Sequence, residues 1–543
     1  MMKPRSPRTV VLCLAGWLTL VGNLALWREL WRDGDASNAL AVGAGALVIV
    51  YAATVAMLAL TAWGRPMKPV WIAILVAAGV AQHFMLSYGV VMDFSMLANT
   101  MQTDPHEVRE LLGWPFFANV LLVAALPAAW IVLVPVARTP WWPQLWKNAV
   151  LIIVAVALTL GTAFVSFSQL APLVRNHMKL RDMVDPMSGL TSAAWVGLRP
   201  FFKRSDKLVS VSAGAALGPS YAGQAKVPLL VIVIGETARA DHFALNGYAR
   251  ATTPELAARS VLSFRNVRSC GTDTRDSLPC MLSALGKEAF EKREAEQENL
   301  LDVLQAAGLA VLWIENQSGC KEVCDRVPHV STSDLSASAA NGLCGGGECF
   351  DDALLVGLDE RIARLPEERR KRGVVLVMHQ MGSHGPAYFK RSPPQLKRFM
   401  PECTTTTLGD CDPAQLVNAY DNTIATTDHF LATTIDWLRA RPGFAPALLY
   451  MSDHGESLGE LGIFLHGLPY SIAPEVQKHV PFVAWLGDSL AERRGIDLAC
   501  LRGRLDEPLS HDNLYHTAVG VLDVATPTYV AALDASAPCR KAR

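Results

Sequence analysis

Long apolar stretches fill the first third of the chain, and they constrain the fold more than any other feature. One such stretch is consistent with a buried helix of a soluble protein, but several in succession are not. Five stretches are each about long enough to cross a bilayer, namely 10–27, 39–62, 69–91, 116–137 and 149–170. We therefore predict a transmembrane domain of five spans over residues 1–170.

Basic residues indicate the orientation of these spans. Lys3, Arg5 and Arg8 precede the first stretch, as in a signal peptide, but the stretch is long and no small-x-small cleavage site follows it. Basic residues also follow the second and fourth stretches, at Arg65, Lys68, Arg138 and Lys147. Because cytoplasmic loops are enriched in lysine and arginine, we predict a cytoplasmic N-terminus and residues 171–543 on the outer side.

The cysteines support export of the second part of the chain. Of the 11 cysteines, Cys13 lies in the first predicted span and the others all follow residue 260. An even number of cysteines in an exported domain predicts disulfides, whereas C-x3-C and C-x4-C spacings fit zinc-binding C-x2-C knuckles poorly. Proximity in sequence predicts Cys270–Cys280, Cys320–Cys324, Cys344–Cys349 and Cys403–Cys411, which leaves Cys500 to pair with Cys539.

Residues 171–226 separate the apolar region from the rest. Their first part, 171–202, alternates basic and apolar residues, which is typical of an amphipathic segment on a membrane surface or of a solvated linking helix. Residues 205–226 are rich in serine, glycine and alanine and are predicted to be a linker.

Residues 227–543 alternate apolar strands with helical patterns, which predicts an α/β domain with a mostly parallel central sheet. The predicted strands are Val227–Gly235, Ala310–Ile314, Val374–Met378, Ala447–Met451 and Pro481–Trp485. The predicted helices are 298–307, 351–364 and 414–440.

Polar side chains follow three of these strands. Glu236 directly follows the predicted strand VPLLVIVIG. His379 and His384 come within a few residues after the strand VVLVM, and Asp453 and His454 come within a few residues after the strand ALLYM. Any one of these is ordinarily a helix-terminal charge or a loop residue. Since ligands bind at the carboxyl ends of parallel strands, the joint pattern predicts a site there, and nitrogen and oxygen donors suit zinc.

A candidate nucleophile lies in SCGTDTRDSLPCM. Thr274 precedes a predicted helix, where backbone N–H groups and the helix dipole favour an anion. A threonine here is ordinarily an N-cap, and without the metal cluster that interpretation would be the better one. A bound cation would lower the pKa of the hydroxyl and make Thr274 a nucleophile.

Four motifs carry a resemblance over essentially the whole chain: VIGETARADHFALNGYAR, SCGTDTRDSLPCM, HQMGSHGPAYFKR and MSDHGESLGELGIFLHGLPY. The chain resembles the lipid A phosphoethanolamine transferases, including the mobile colistin-resistance enzymes, of the alkaline phosphatase and sulfatase superfamily. The resemblance implies a five-helix transmembrane domain and a sulfatase-like periplasmic domain in the bacterial inner membrane.

The resemblance also implies roles for individual residues. It implies zinc ligands at Glu236, Thr274, Asp453 and His454. It implies phosphate-contacting histidines, which in some members bind a second zinc, at His384 and His466, and contacts to the phosphoryl group or headgroup by His379 and Lys321.

A periplasmic segment of the membrane domain is implied to line the substrate site through Asn99, Thr103 and Glu107. Their spacing of four residues places them on one face of a helix. They lie in the predicted outer loop between the third and fourth stretches, on the side of the catalytic domain. A solvated loop helix, interrupted by Pro105, is the alternative.

By resemblance, phosphoethanolamine passes from phosphatidylethanolamine through a covalent Thr274 intermediate to a phosphate of lipid A, which gives resistance to polymyxins. We expect a monomer. The alternatives are transfer to a core sugar of lipopolysaccharide or to a periplasmic glucan, a glycerol-phosphate transferase, a hydrolase of the superfamily, and a non-enzymatic membrane sensor.

Other features of the sequence also bear on its function. The formal net charge of −1 provides no basic surface for nucleic acid, so we predict no nucleic-acid partner. The sulfatase signature Cys-x-Pro-x-Arg is absent at the nucleophile, which disfavours sulfatase chemistry. Arg275 and Asp276 depart from the small or apolar residues common in the family, and with Asp273 they are expected to form a local ion pair or to alter the acceptor site.

Overall fold

A computed structural model describes residues 3–33, 39–91, 96, 108–109, 111–166, 180, 183–198, 205–223, 225–317 and 319–541. The chain splits into two compact units, which divide at residue 203. The first unit is helical and the second is built around a seven-stranded sheet. These two architectures are those predicted from the apolar stretches and from the strand–helix alternation.

Among the described residues of the first unit, four helices are long and apolar enough to cross a membrane, Val42–Ala59, Arg65–Tyr88, Trp114–Leu133 and Trp141–Val165. Large apolar side chains on the last two face outward, including Leu126, Leu133, Ile153 and Phe164. Such exposure is unusual for a protein in water but is expected where lipid is the solvent. The first of these spans is part of the helix Ala39–Ala59, and the second joins the short turn Arg65–Met67 to the helix Lys68–Tyr88. The other helices described in this unit are Pro7–Leu20, Leu24–Asp33 and Met187–Leu198.

The first predicted span is not one continuous helix. Pro7–Leu20 and Leu24–Trp31 meet at an angle of 44°, and together they form the fifth candidate span. Side chains replace the backbone bonds lost at this break, because Asn23 Nδ2 donates to the carbonyls of Leu18 (2.9 Å) and Asp185 (2.6 Å). Gln82 Oε1 accepts from the Leu24 N–H at 2.9 Å. A bend inside a membrane needs such partners for its freed backbone groups.

The sheet of the second unit explains why its strands are apolar throughout. Its order is Leu262–Phe264, Phe482–Leu486, Phe444–Ser452, Val227–Gly235, Val374–His379, Ala310–Glu315 and His329–Ser331. The last five strands are parallel and the first two are antiparallel to their neighbours. Helices cover both faces, so a central strand such as Val227–Gly235 is buried along nearly its whole length.

The longer helices of this unit are Thr274–Met281, Leu300–Ala306, Leu358–Ala363, Pro413–Arg439, Asp488–Arg494 and Asp512–Leu522. Shorter helices are Pro254–Ala257, Lys287–Glu291, Glu367–Arg370 and Leu498–Arg502. Small two-stranded pairs join Ser205–Val209 to Ala295–Gln297, Ala216–Leu217 to Val524–Ala525, Val267–Arg268 to Leu509–Ser510, Cys344–Gly345 to Glu348–Cys349, and Ser457–Leu458 to Phe464–Leu465.

Five disulfides fasten the loops of the second unit. They join the five pairs that the sequence predicts, Cys270–Cys280, Cys320–Cys324, Cys344–Cys349, Cys403–Cys411 and Cys500–Cys539. Cys13 is free. Cys500–Cys539 spans 39 residues, whereas Cys320–Cys324 spans only 4.

We expect the loss of Cys500–Cys539 to destabilise the second unit more than the loss of Cys320–Cys324. A longer closed loop restricts the unfolded chain more, so the chain-entropy relation gives about 4 kcal/mol for the first bond and about 2 kcal/mol for the second. Urea unfolding of the two double-alanine variants, followed by tryptophan fluorescence, measures the difference. Equal losses of unfolding free energy would contradict this expectation.

Candidate active site

Three neighbouring parallel strands end at the same level and deliver polar residues to one edge of the sheet. In the strand register Ile234 lies beside both His379 and Met451, and Gly235 lies beside Ser452. Glu236 and Asp453 therefore leave the sheet side by side. The Asp453 N–H donates to the Gly235 carbonyl at 2.9 Å, which fixes this exit.

Four of the predicted residues meet at this edge. The Thr274 hydroxyl donates to Glu236 Oε2 at 3.0 Å. His454 Nε2 lies 3.5 Å from Thr274 Oγ1, 3.3 Å from Glu236 Oε1 and 3.3 Å from Asp453 Oδ2. Glu236, Asp453 and His454 are fully buried, and Thr274 is 9% exposed.

The hydrogen bonds around this cluster leave two carboxylate oxygens and one histidine nitrogen facing one another. His454 Nδ1 lies 2.9 Å from the Gly455 carbonyl, which only accepts, so Nδ1 carries a proton and Nε2 is the ring nitrogen that faces the carboxylates. Asp453 Oδ1 accepts from the Thr237 and His454 N–H groups at 3.2 and 2.7 Å. Glu236 Oε1 and Asp453 Oδ2 have no hydrogen-bond partner among the described residues.

Such a cluster fits a bound cation. Burial raises the pKa of Glu236 well above its usual value, and the neighbouring Asp453 carboxylate raises it further. Two buried carboxylates that lie close together are costly without a compensating positive charge. One nitrogen and several oxygen donors at this spacing suit a divalent metal ion such as zinc.

His466 and His384 lie at the open side of this cluster. His466 contributes a nitrogen within 4.8 Å of donor atoms of Glu236 and His454. Its Nδ1 lies 3.3 Å from Glu456 Oε1, and its ring centroid is 5.4 Å from that of His384. Burial lowers the pKa of His384 well below its usual value, and His466 lowers it further.

His379 occupies a more enclosed position at the end of its strand. Its Nδ1 lies 2.9 Å from Glu315 Oε1, and Glu315 also accepts from the Trp313 indole at 2.7 Å. Burial opposes protonation of His379, but the Glu315 carboxylate outweighs burial and raises the pKa of the ring. His379 Nε2 has no hydrogen-bond partner in the part of the chain that the structure describes.

The remaining predicted residues are Lys321, Asn99, Thr103 and Glu107. Lys321 is half-buried in the loop closed by Cys320–Cys324, with a left-handed backbone (φ 48°). Asn99, Thr103 and Glu107 lie outside the described residues.

Among the described residues, no ion pair joins Arg275 to Asp273 or Asp276 beside Thr274. Asp273 caps the helix by accepting from the Asp276 N–H at 2.9 Å, which commits its carboxylate to the backbone. Arg275 has no ion-pair partner among the described residues and remains partly exposed next to Thr274.

Two residues of the site were not predicted from the sequence. Gln317 Nε2 donates to Glu236 Oε2 at 2.5 Å. Asp351 accepts from the Met381 and Gly382 N–H groups at 2.8 and 3.0 Å and so shapes the loop between His379 and His384. Gly382 has φ +53°, and a Cβ there would lie 2.7 Å from the Glu236 carbonyl, which leaves glycine as the fitting residue.

The helix Pro413–Arg439 holds two of the catalytic loops from outside the sheet. The Tyr420 hydroxyl donates to the Thr237 carbonyl at 2.7 Å and accepts from the Arg239 N–H at 2.9 Å. Thr423 Oγ1 donates to the Tyr420 carbonyl and accepts from the Ser383 hydroxyl, each at 2.7 Å. The long helix thus fixes the segment after Glu236 and the segment before His384.

Comparison with known proteins identifies the class. The sulfatase family matches residues 228–524, and the phosphoethanolamine transferase EptA/EptB family matches residues 50–199. Among relatives, phosphoethanolamine transferase EptA of Salmonella typhimurium is 39% identical over 474 residues, covering 86% of this chain and 84% of the relative. Phosphatidylethanolamine transferase Mcr-1 of Escherichia coli is 35% identical and covers 96% of this chain and 95% of the relative.

A solved structure agrees over both units. The integral membrane lipooligosaccharide phosphoethanolamine transferase A of Neisseria meningitidis superposes with a TM-score of 0.92 at 32% identity, covering 98% of this chain and 99% of that one. The second unit is thus a sulfatase-type phosphotransferase domain joined to a helical membrane domain. The chain belongs to the EptA family of phosphoethanolamine transferases.

We expect the purified full-length protein to contain a divalent metal ion, and its donor set indicates zinc. Glu236→Gln and Asp453→Asn should each reduce metal affinity by more than the roughly 10–100-fold typical of outer-shell changes. Asp428→Asn provides a matched control, because Asp428 is buried but only caps the helix Pro254–Ala257 through the Glu255 and Leu256 N–H groups. Elemental analysis and chelator competition measure the effect, and equal metal retention in all three variants would contradict the assignment.

Proposed function

We propose that this chain is a zinc-dependent transferase that moves phosphoethanolamine from phosphatidylethanolamine to a phosphate of lipid A. The protein is a multi-pass protein of the bacterial inner membrane with its catalytic domain in the periplasm. We assign membrane anchoring to residues 1–170, bridging to 171–226 and the chemistry to 227–543, all within one monomer. The observation that carries the proposal is that the Thr274 hydroxyl lies beside Glu236 Oε2 and His454 Nε2, next to carboxylate oxygens of Glu236 and Asp453 that have no hydrogen-bond partner among the described residues.

The proposed reaction has two steps. In the first, the Thr274 hydroxyl gives up its proton as Oγ bonds to phosphorus, the bond from phosphorus to the diacylglycerol oxygen breaks, and that oxygen takes up a proton to become the hydroxyl of diacylglycerol. In the second, a phosphate oxygen of lipid A attacks the same phosphorus, the Thr274–phosphorus bond breaks, and the Thr274 oxygen takes up a proton again. Two steps allow two bulky lipids to be handled one after the other.

The residues of the chain have distinct tasks in these steps. Bound zinc would lower the pKa of the Thr274 hydroxyl and offset charge on the phosphoryl oxygens. Glu236 Oε2 accepts the hydroxyl hydrogen and so orients Thr274. His384 and His466 have rings in contact beside the cluster, and we assign them to proton transfer or to phosphoryl contact. A second zinc beside these two histidines is the alternative use of their nitrogens.

His379 and Lys321 are assigned to the phosphoryl group or the headgroup. Support for His379 is its orientation, because Glu315 holds Nδ1 and leaves Nε2 directed away from that carboxylate. Support for phosphatidylethanolamine as donor is the name of the relative Mcr-1, a phosphatidylethanolamine transferase that aligns over nearly the whole chain.

The group that accepts phosphoethanolamine has a specific alternative, because relatives of this chain act on different acceptors. A relative at 28% identity is named a Kdo(2)-lipid A phosphoethanolamine 7''-transferase, so members of the family differ in the acceptor group. Transfer to a phosphate of lipid A is favoured here by the greater similarity to EptA and Mcr-1. Capping that phosphate removes negative charge from the membrane surface and weakens binding of cationic polymyxins. Mass spectrometry of lipid A from cells with and without the protein distinguishes lipid A phosphate from core-sugar or glucan acceptors.

We expect incubation with donor alone to add one phosphoethanolamine unit to the peptide that contains Thr274. Thr274→Ala should show neither the adduct nor transfer, and Thr274→Ser should keep part of both because it retains a hydroxyl. Thr272→Ser is the matched control, since Thr272 Oγ1 bonds the Leu468 carbonyl outside the cluster and serine preserves that bond. Peptide mass spectrometry measures the adduct, and normal transfer by Thr274→Ala would refute the two-step route.

We expect the triple substitution of Asn99, Thr103 and Glu107 by alanine to impair transfer from a lipid donor while zinc content stays unchanged. The reason is that these residues are proposed to contact the lipid substrate and not the metal. Transfer assays with phosphatidylethanolamine in detergent, paired with elemental analysis, measure both quantities. Turnover equal to that of the wild type would favour a solvated loop helix at this position.

A further inference from the structure

His511 lies outside every motif that identified the site, yet its imidazole contacts two of the segments that form it. The residue directly precedes the helix Asp512–Leu522. Its N–H donates to the Arg268 carbonyl at 2.9 Å, which extends the short parallel pairing of Val267–Arg268 with Leu509–Ser510. The backbone of His511 is therefore held in place independently of its side chain.

The imidazole uses both ring nitrogens, each for a different backbone group. Nδ1 accepts from the Cys270 N–H at 3.0 Å. Nε2 lies 2.9 Å from the Ser452 carbonyl, which only accepts, so Nε2 carries the proton. The ring is fully buried, and burial lowers the pKa of His511 to about 4, which agrees with a neutral ring having one donor and one acceptor.

The two contacted backbone groups belong to the two halves of the active site. Cys270 is bonded to Cys280, and this disulfide closes the loop and helix that contain Thr274. The Ser452 carbonyl belongs to the peptide bond that joins Ser452 to Asp453. The N–H of that same peptide donates to the Gly235 carbonyl, so the peptide plane that begins the Asp453–His454 segment is held at both ends.

We propose that His511 is a positioning residue that sets the distance between the Thr274 hydroxyl and the Asp453–His454 pair. The proposal rests on the assignment of these residues to the metal and nucleophile site. The physical reason is that one rigid ring joins the nucleophile loop to the metal-ligand segment through two directed hydrogen bonds. A displacement of about 1 Å between such groups is enough to cost about 100-fold in rate.

Two substitutions separate the two hydrogen bonds. An asparagine amide oxygen replaces the acceptor at Nδ1, and a glutamine amide nitrogen replaces the donor at Nε2. His511→Asn therefore retains the bond to Cys270 and loses the bond to Ser452, whereas His511→Gln does the reverse. His511→Ala loses both.

His516 is the matched control for the loss of a buried imidazole. It lies on the same helix, is equally buried, and its Nδ1 accepts from the Val530 N–H at 3.1 Å. Val530 belongs to the C-terminal segment, and its backbone hydrogen bonds among the described residues go to His516 and Leu533, not to a proposed metal ligand. His516→Asn thus measures the general destabilisation without loosening the site.

The experiment compares the full-length protein and these four variants in detergent. Thermal unfolding, zinc content, the visible spectrum of the cobalt-substituted protein, and kcat and KM for transfer are measured. We expect kcat to fall at least about tenfold in His511→Asn and His511→Gln and further in His511→Ala, with KM within about twofold of wild type. The cobalt spectrum should change in all three, because ligand geometry determines it. His516→Asn should change only the unfolding temperature.

Wild-type cobalt spectra in the His511 variants, or a fall in kcat matched by His516→Asn, would overturn the proposal. If the wild-type protein itself transfers no phosphoethanolamine, the proposed function fails and the spectra alone decide the role of His511. Changed spectra would then still support a positioning role, and unchanged spectra would still exclude it.

Discussion

The active site depends on negative charge that the protein buries and does not itself neutralise. Glu236 and Asp453 follow adjacent strands, and their Oε1 and Oδ2 atoms have no hydrogen-bond partner among the described residues. His454 Nε2 lies 3.3 Å from each of these two oxygens. A carboxylate in this position is stable only beside a positive charge. The parallel sheet aligns these strand ends. It therefore concentrates negative charge that a cation can balance next to the Thr274 hydroxyl.

The surrounding loops can be understood as supports for this cluster. Asp351 fixes the turn between His379 and His384, and Tyr420 fixes the segment after Glu236. The Gly467 N–H donates to the Thr272 carbonyl at 2.8 Å, which ties the loop of His466 to the loop of Thr274. Of these supporting residues, only the buried Asp351 has an ionisable acidic side chain near the cluster. They act by directing backbone groups, so the geometry of the site is set largely by the main chain.

The sequence predicted features that depend on neighbouring residues, and it missed contacts between segments far apart in the chain. Buried parallel strands have continuous apolar runs, so the strand ends, and with them Glu236, Asp453 and His454, could be located from the sequence. Gln317 and His511 could not, because each reaches the site through contacts with segments more than 50 residues away in the chain. The break in the first span was missed for the same reason, since Asn23 bonds Asp185 across 162 residues. The expected ion pair of Arg275 failed because Asp273 bonds the backbone of its own helix.

The disulfides join the cysteines of the periplasmic domain in strict chain order, the first with the second, the third with the fourth, and so on to Cys500 with Cys539. A chain that leaves the membrane N-terminal end first presents each cysteine shortly before its own partner. An oxidising enzyme that acts on thiols in order of appearance therefore makes native bonds at every step. Oxidation in that order leaves no non-native bond to be rearranged, so the pairing order itself limits the number of misbonded intermediates.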